Sequence, residues 1–277
     1  MTDQDGHQSG TELIIAKGAQ LAGALVGGGV GMVGGPVGAF GGAAAGWAAG
    51  EVIAAIGVEV MQRMSGRGAE RAAATAILIA QDGLKHESAG EQPRDDGFFD
   101  ERCGLRPEED ELLEAVLLTA ANTYEERKLP YLAHLFDGVK YDASVAAADA
   151  LFMARLADEL TYRQLVGLAV FGHHEVHFRA LARAETRFKE GFAVRDAAFM
   201  QELDALDARA LVGVRDKQGL VRTPVGTFGG STLSEASFGK LRLTGPGETL
   251  YRLMRLDEIP QLDRDEWVAG LAGTDVE

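Results

Sequence analysis

Cysteine is almost missing from this chain. Cys103 stands alone among 277 residues, so no disulfide can form within it, which fits a reducing compartment. Basic charge is also short: 27 Lys and Arg face 42 Asp and Glu, for a formal net charge of −15. That balance disfavours a broad basic surface for nucleic acid or anionic lipid. The N-terminus is acidic and polar, without the basic start and compact apolar core of a secretory signal, and predicts a protein residing mainly in the cytoplasm. Finally, residues 18–50 contain no charge of either sign.

What fills that uncharged stretch is glycine, set at regular spacing. Gly23, Gly27, Gly31 and Gly35 recur every four residues, and a second series follows at Gly34, Gly38, Gly42, Gly46 and Gly50. Four residues is just over one helical turn, so each series forms a ridge without side chains on which another backbone can pack closely. Glycine costs about 1 kcal/mol relative to alanine inside a helix, so such a run needs close packing to hold its form. Gly34-Gly35-Pro36 is a turn signal. The two arms around it, residues 13–35 and 37–58, carry one charge each, Lys17 and Glu51. Each arm is about long enough to cross a ~30 Å hydrocarbon core. The expectation is a helical hairpin over residues 11–64, with Lys17 and Glu51 paired at its open end. Alanine and glycine add little to insertion, so a single hairpin is marginal in lipid. The alternative is a hairpin buried as the packing core of a soluble protein. Trp47 fits either setting, in packing or at a lipid–water boundary.

The remainder is denser in charge, which favours an appendage joined to a body. Residues 1–10 are expected as a disordered tail. Residues 65–107 read as a helix near 69–84 followed by a polar linker, pinned by Phe98 and Phe99. Residues 108–210 read as a helical domain. Pro107 and the acidic run from Glu108 to Glu111 suit a helix start, and Leu112, Leu113, Val116, Leu117 and Ala120 form its stripe. Pro130 opens a short helix through Leu132, Leu135 and Phe136. Asp142 or Ser144 caps the next, with Leu151, Phe152 and Leu156 inward; Thr161 caps another holding Leu165, Leu168, Ala169 and Phe171. Asp196 starts a helix bearing Phe199, Leu203, Leu206 and Leu211. Residues 211–260 read as short strands near 219–222 and 240–243 around a glycine-rich connection, then a helix capped by Thr244, a winged-helix-like rhythm. There Leu243, Leu250 and Leu253 are expected to share one core, and residues 261–277 to form a C-terminal tail.

The segment from about residue 19 to 50 resembles the glycine-zipper segments of bacterial membrane and pore-forming proteins. The whole layout is similar to the abortive-infection alpha type of bacterial phage-resistance proteins, on the middle run LTYRQLVGL (160–168) and the run LRLTGPGETLYRLM (241–254). Bacterial defence is what that second resemblance implies; it brings no catalytic motif.

No reaction centre emerges from the remaining candidates. His173 and His177 lie four apart, but the spacing is not that of a zinc protease, and a solvent-facing helix end explains the His-rich run better than a metal does. Cys103 lacks a catalytic setting. Gly226 to Ser231 lacks the lysine and following helix of a phosphate loop and reads as a wing tip. Glu125 to Lys128 reads as a solvated helix end, while Arg155, Tyr162 and Arg163 are placed to bridge helices. The fold expected is mainly α: a glycine-zipper hairpin, a helical bundle and a small winged-helix-like α+β end. The function expected is non-enzymatic, without cofactor or metal: a membrane-acting protein that assembles with its own copies on release by a protein trigger. It would be cytoplasmic, joining the inner membrane conditionally. The runner-up is a soluble oligomeric interaction or regulatory protein. The third reading is a DNA-binding regulator, for which Arg215, Lys217, Arg222, Lys240, Arg242, Arg252 and Arg255 speak and the acidic balance does not.

Overall fold

A computed structural model describes residues 67–101, 104–190, 194–215, 221–222 and 240–272. These residues are mainly helical and form two compact units, divided between Glu159 and Leu160. The glycine series, the Lys17–Glu51 pair, Trp47, Cys103 and the run from Gly226 to Ser231 lie outside the described residues. Among the described residues, no helix is long and apolar enough to cross a membrane.

The first unit contains α1 (Arg67–Ser88), α2 (Glu108–Asn122), α3 (Leu129–Lys140) and α4 (Ala147–Glu159). α1 packs on α2 and α3, and α2 on α4. α1 approaches its neighbours through small residues, Ala72, Ala73, Thr75 and Ala76, with Ile79 completing the buried stripe. α2 begins after Pro107 with four acidic residues in its first turn and buries the expected stripe. α3 carries Pro130 in its first turn and is buried on nearly every side, its polar His134, Asp137 and Lys140 included. Leu132, Ala133, Leu135, Phe136 and Val139 are all 0% exposed.

The loop before α2 is held by Arg94. Its guanidinium donates to the carbonyls of Val139, Asp142 and Val145, pairs with Asp96, and lies 4.6 Å from the Phe98 ring centroid. Phe98 is thereby buried, not merely resting on the surface. Two local expectations fail. Asp142 caps no helix: its carboxylate accepts from the Ser144 backbone at 2.9 Å in a tight turn, and α4 starts later. α4 buries Ala150, Met153, Ala154, Leu156 and Ala157 and leaves Phe152 48% exposed, because its small residues form the inward stripe.

The second unit contains α5 (Tyr162–Gly172), α6 (His174–Glu190), α7 (Val194–Ala208), β1 (Val212–Arg215), β2 (Val221–Arg222), β3 (Leu241–Leu243), α8 (Gly245–Leu253) and α9 (Gln261–Ala272). Thr161 caps α5 in a reciprocal box with Gln164, as its side chain predicts. The strands form an antiparallel sheet in the order β2-β1-β3, with Val214 opposite both Arg222 and Leu241. The sequence reading missed the central strand, β1. α8 starts where the Thr244 side chain accepts from Gly247 N–H. Leu243, Leu250 and Leu253 are buried, as expected of a common core. The stretch read as a tail holds α9, which packs on α5 and α6. Trp267 of α9 sits edge-on to Phe171 and Phe199 at centroid distances of 5.8 and 5.4 Å.

Candidate functional site

The first unit buries a concentration of charge between α1 and α3. Asp82, Lys85 and His86 occur at i, i+3 and i+4, so α1 presents them on one face. α3 supplies His134, Asp137 and Lys140, with Tyr141 at its C-terminal cap. His86 has a carboxylate at each ring nitrogen: Nδ1 lies 2.5 Å from Glu91 and Nε2 2.7 Å from Asp137. Its ring stacks on Tyr141 at a centroid distance of 4.0 Å. Asp82 is buried, 2.6 Å from Lys85 Nζ and 3.2 Å from His134 Nε2. Beyond them lies the Lys140–Glu109 pair at 3.6 Å, each side chain 4% exposed. Burial pushes the Glu109 carboxyl up and the Lys140 ammonium down, against the attraction between them. Burial also raises the Tyr141 hydroxyl, helped by nearby Asp137, Glu91 and Glu87.

This arrangement clamps. Both nitrogens of His86 are engaged by carboxylates, and the cluster ties the end of α1 to α3 and to the loop at Glu91. Sequence reading overlooked it because Asp82, Lys85, His134 and Lys140 resemble ordinary solvated positions; the shared i, i+3, i+4 face was the available signal.

The second unit gathers the His-rich run. His174 and His177 are 6% and 5% exposed, so the solvent-facing reading of this run is corrected. They share a helix face with Leu181, which is 0% exposed, and that face packs toward α9. His173, between α5 and α6, has its Nδ1 3.0 Å from Arg264 Nη1 and 3.2 Å from the Tyr251 hydroxyl. Among the described residues, no group of three His, Cys, Asp or Glu side chains is placed to hold a metal ion.

Two of the three side chains expected to bridge helices do so. The Tyr162 hydroxyl donates to Asp263 at 2.6 Å, joining α5 to α9, and Arg163 pairs with Glu202 of α7 at 3.0 Å. Arg155 instead pairs within α4, with Glu159. Residues 126–128 form a short 3-10 turn whose Lys128 is 2% exposed, so that end is not fully solvated as expected. Compared with known protein families, with curated proteins and with solved structures, the chain matches none.

Proposed function

We propose that this protein is a non-enzymatic, membrane-acting effector of the bacterial defence or toxin kind, which assembles with its own copies through the glycine zipper. The observation that carries the proposal is the uncharged run of residues 18–50 with glycine at every fourth position in two series. Such a ridge is costly in an isolated helix and gains its stability from backbones brought into close contact. Lys17 and Glu51 mark the ends of the apolar arms. Gly23, Gly27, Gly31 and Gly35, with the series from Gly34 to Gly50, form the packing surface.

In this scheme the helical body holds the hairpin until a protein trigger frees it. The protein resides in the cytoplasm and joins the inner membrane only when released. The buried clamp between α1 and α3 supports the holding role, because α1 follows the apolar segment in the chain and is joined to α3 at its far end through His86 with Asp137 and Asp82 with His134. Residues 211–260 act as a winged-helix-like unit. Its antiparallel strand order and the buried Leu243, Leu250 and Leu253 support a packing role. A DNA-regulator role is the weaker reading, because the net charge is −15.

Fractionation of the expressed protein tests the proposal. Membrane action requires part of the full chain to sediment with membranes, and deletion of residues 18–50 to abolish that. A full chain that stays entirely soluble and oligomeric would favour the soluble interaction protein. A duplex-specific gel shift would favour the regulator.

A further inference from the structure

We propose that the corner joining α5 to α6 is an acid-sensitive latch: neutral, buried His177, beside the His173–Arg264 contact, holds the start of α6 against α9, and its protonation near Arg264 releases it. The inference stands on geometry and is independent of membrane action.

His173 Nδ1 faces partners of opposite demand. Arg264 Nη1 lies 3.0 Å from Nδ1 and 3.4 Å from Nε2, so the guanidinium of α9 rests against the ring and not on the axis of either nitrogen. Nδ1 itself has a single site in the ring plane: bare, it accepts from the Tyr251 hydroxyl of α8 at 3.2 Å, and bearing hydrogen it donates to the Ala169 carbonyl oxygen at 3.2 Å. His173 thus brings α8 and α9 together at the start of α6, and any further positive charge arising there stands against Arg264.

His177 is the titrating group of the latch. It is 5% exposed, and its Nε2 is buried without a hydrogen-bond partner. Burial holds this ring below the usual histidine range; Asp265 opposes that, while Arg264, His173 and His174 add to it. The other charged or titratable groups near the corner are Tyr251 of α8 with Asp257 behind it, and Glu175 and Arg179 on α6 itself. Those of α5, Tyr162 and Arg163, sit in its opposite, first turn. The sign follows from linkage. The folded pKa of His177 is depressed, so its contribution is complete above the ordinary value of 6.5 and is lost as pH falls through the folded value.

Hydrogen exchange on the full chain, at about pH 7.5 and about pH 5.5, tests the latch. After correction for the intrinsic effect of pH, peptides from residues 174–190 should exchange roughly tenfold faster at the lower pH, while α1 to α4 change little. The double variant His173→Gln, His177→Phe keeps an acceptor for Arg264 and fills the apolar site without a titrating group. It should show equal α6 protection at both pH values. Equal protection in the unmodified chain, or an acid loss in the variant as large as that of the unmodified chain, overturns the latch. Should the variant fail to fold, the unmodified chain decides: α6 protection should fall with the same midpoint pH as the His177 ring signal, and a loss at a different midpoint, or none while the ring titrates, overturns the latch.

Discussion

Ala210 has a positive φ of 55° where α7 turns into β1. Its N–H bonds to Asp207 O at 2.8 Å and the Leu211 N–H to Leu206 O at 3.0 Å, the paired bonds that end a helix through a left-handed residue. Glycine is favoured there, and alanine carries the strain of its Cβ. Ala210→Gly is expected to stabilise the protein by about 0.5–1 kcal/mol, read as a shift in denaturant midpoint at constant slope. The adjacent contact has the opposite sensitivity. A Cβ on Gly247 would stand 2.0 Å from Leu211 O, a backbone atom that cannot swing aside. Gly247→Ala should therefore destabilise by about 1–3 kcal/mol or more, in the same denaturation experiment. In the first unit, Lys140→Met leaves Glu109 buried with its principal counter-charge removed. The expected loss is about 3–5 kcal/mol, whereas the double change Glu109→Leu, Lys140→Met should recover most of it. A double change as damaging as the single one would show that the pair is not what the lysine supports.

At the scale of elements, the helices with strong apolar stripes and side-chain caps were legible. Thr161 before Leu165 and Leu168, and Pro107 before an acidic turn, announce α5 and α2 by local chemistry alone. α9 was not legible, because Asp263, Arg264, Asp265 and Glu266 stand together in its first half. Its buried face is Asp263, Trp267, Val268 and Leu271, and the Tyr162 hydroxyl reaches the aspartate there. That is tertiary information. β1 was missed because Val212–Arg215 is too short to show alternation and follows closely on a leucine-bearing helix. The polar faces of α1 and α6 were missed because buried histidine and aspartate at helical spacing look like a solvated surface until their partners arrive. The rank of α9 is testable. Trp267 is 4% exposed and a Cβ on Gly167 would come within 3.0 Å of its ring. Trp267→Ala should cost about 3–5 kcal/mol and abolish cooperative melting of the second unit. A variant melting like the parent would return residues 261–272 to the status of a tail.

At the scale of the whole molecule, residues 18–50 and the helical body divide the chemistry between them. The body carries the charge, with the buried Lys140–Glu109 pair inside it; residues 18–50 carry no charged residue, and their sequence is marked by glycine spacing. Membrane action through zipper packing asks the glycines to matter for assembly and not for folding of the body. Gly27→Leu and Gly42→Leu place bulk on the two ridges while raising helix propensity and hydrophobicity, so simple insertion should improve and only close packing should suffer. The same changes at Ala24 or Ala45, off the ridges, should be mild. The direct measurement is dye release from lipid vesicles by the purified full chain and by these variants, each first shown to melt normally. The prediction is leakage by the parent and the alanine-site variants, with binding but little leakage by Gly27→Leu and Gly42→Leu. Leakage unchanged by the ridge substitutions, or no leakage by the parent under any release condition, would contradict assembly in the membrane and leave the segment as a tightly packed piece of soluble core.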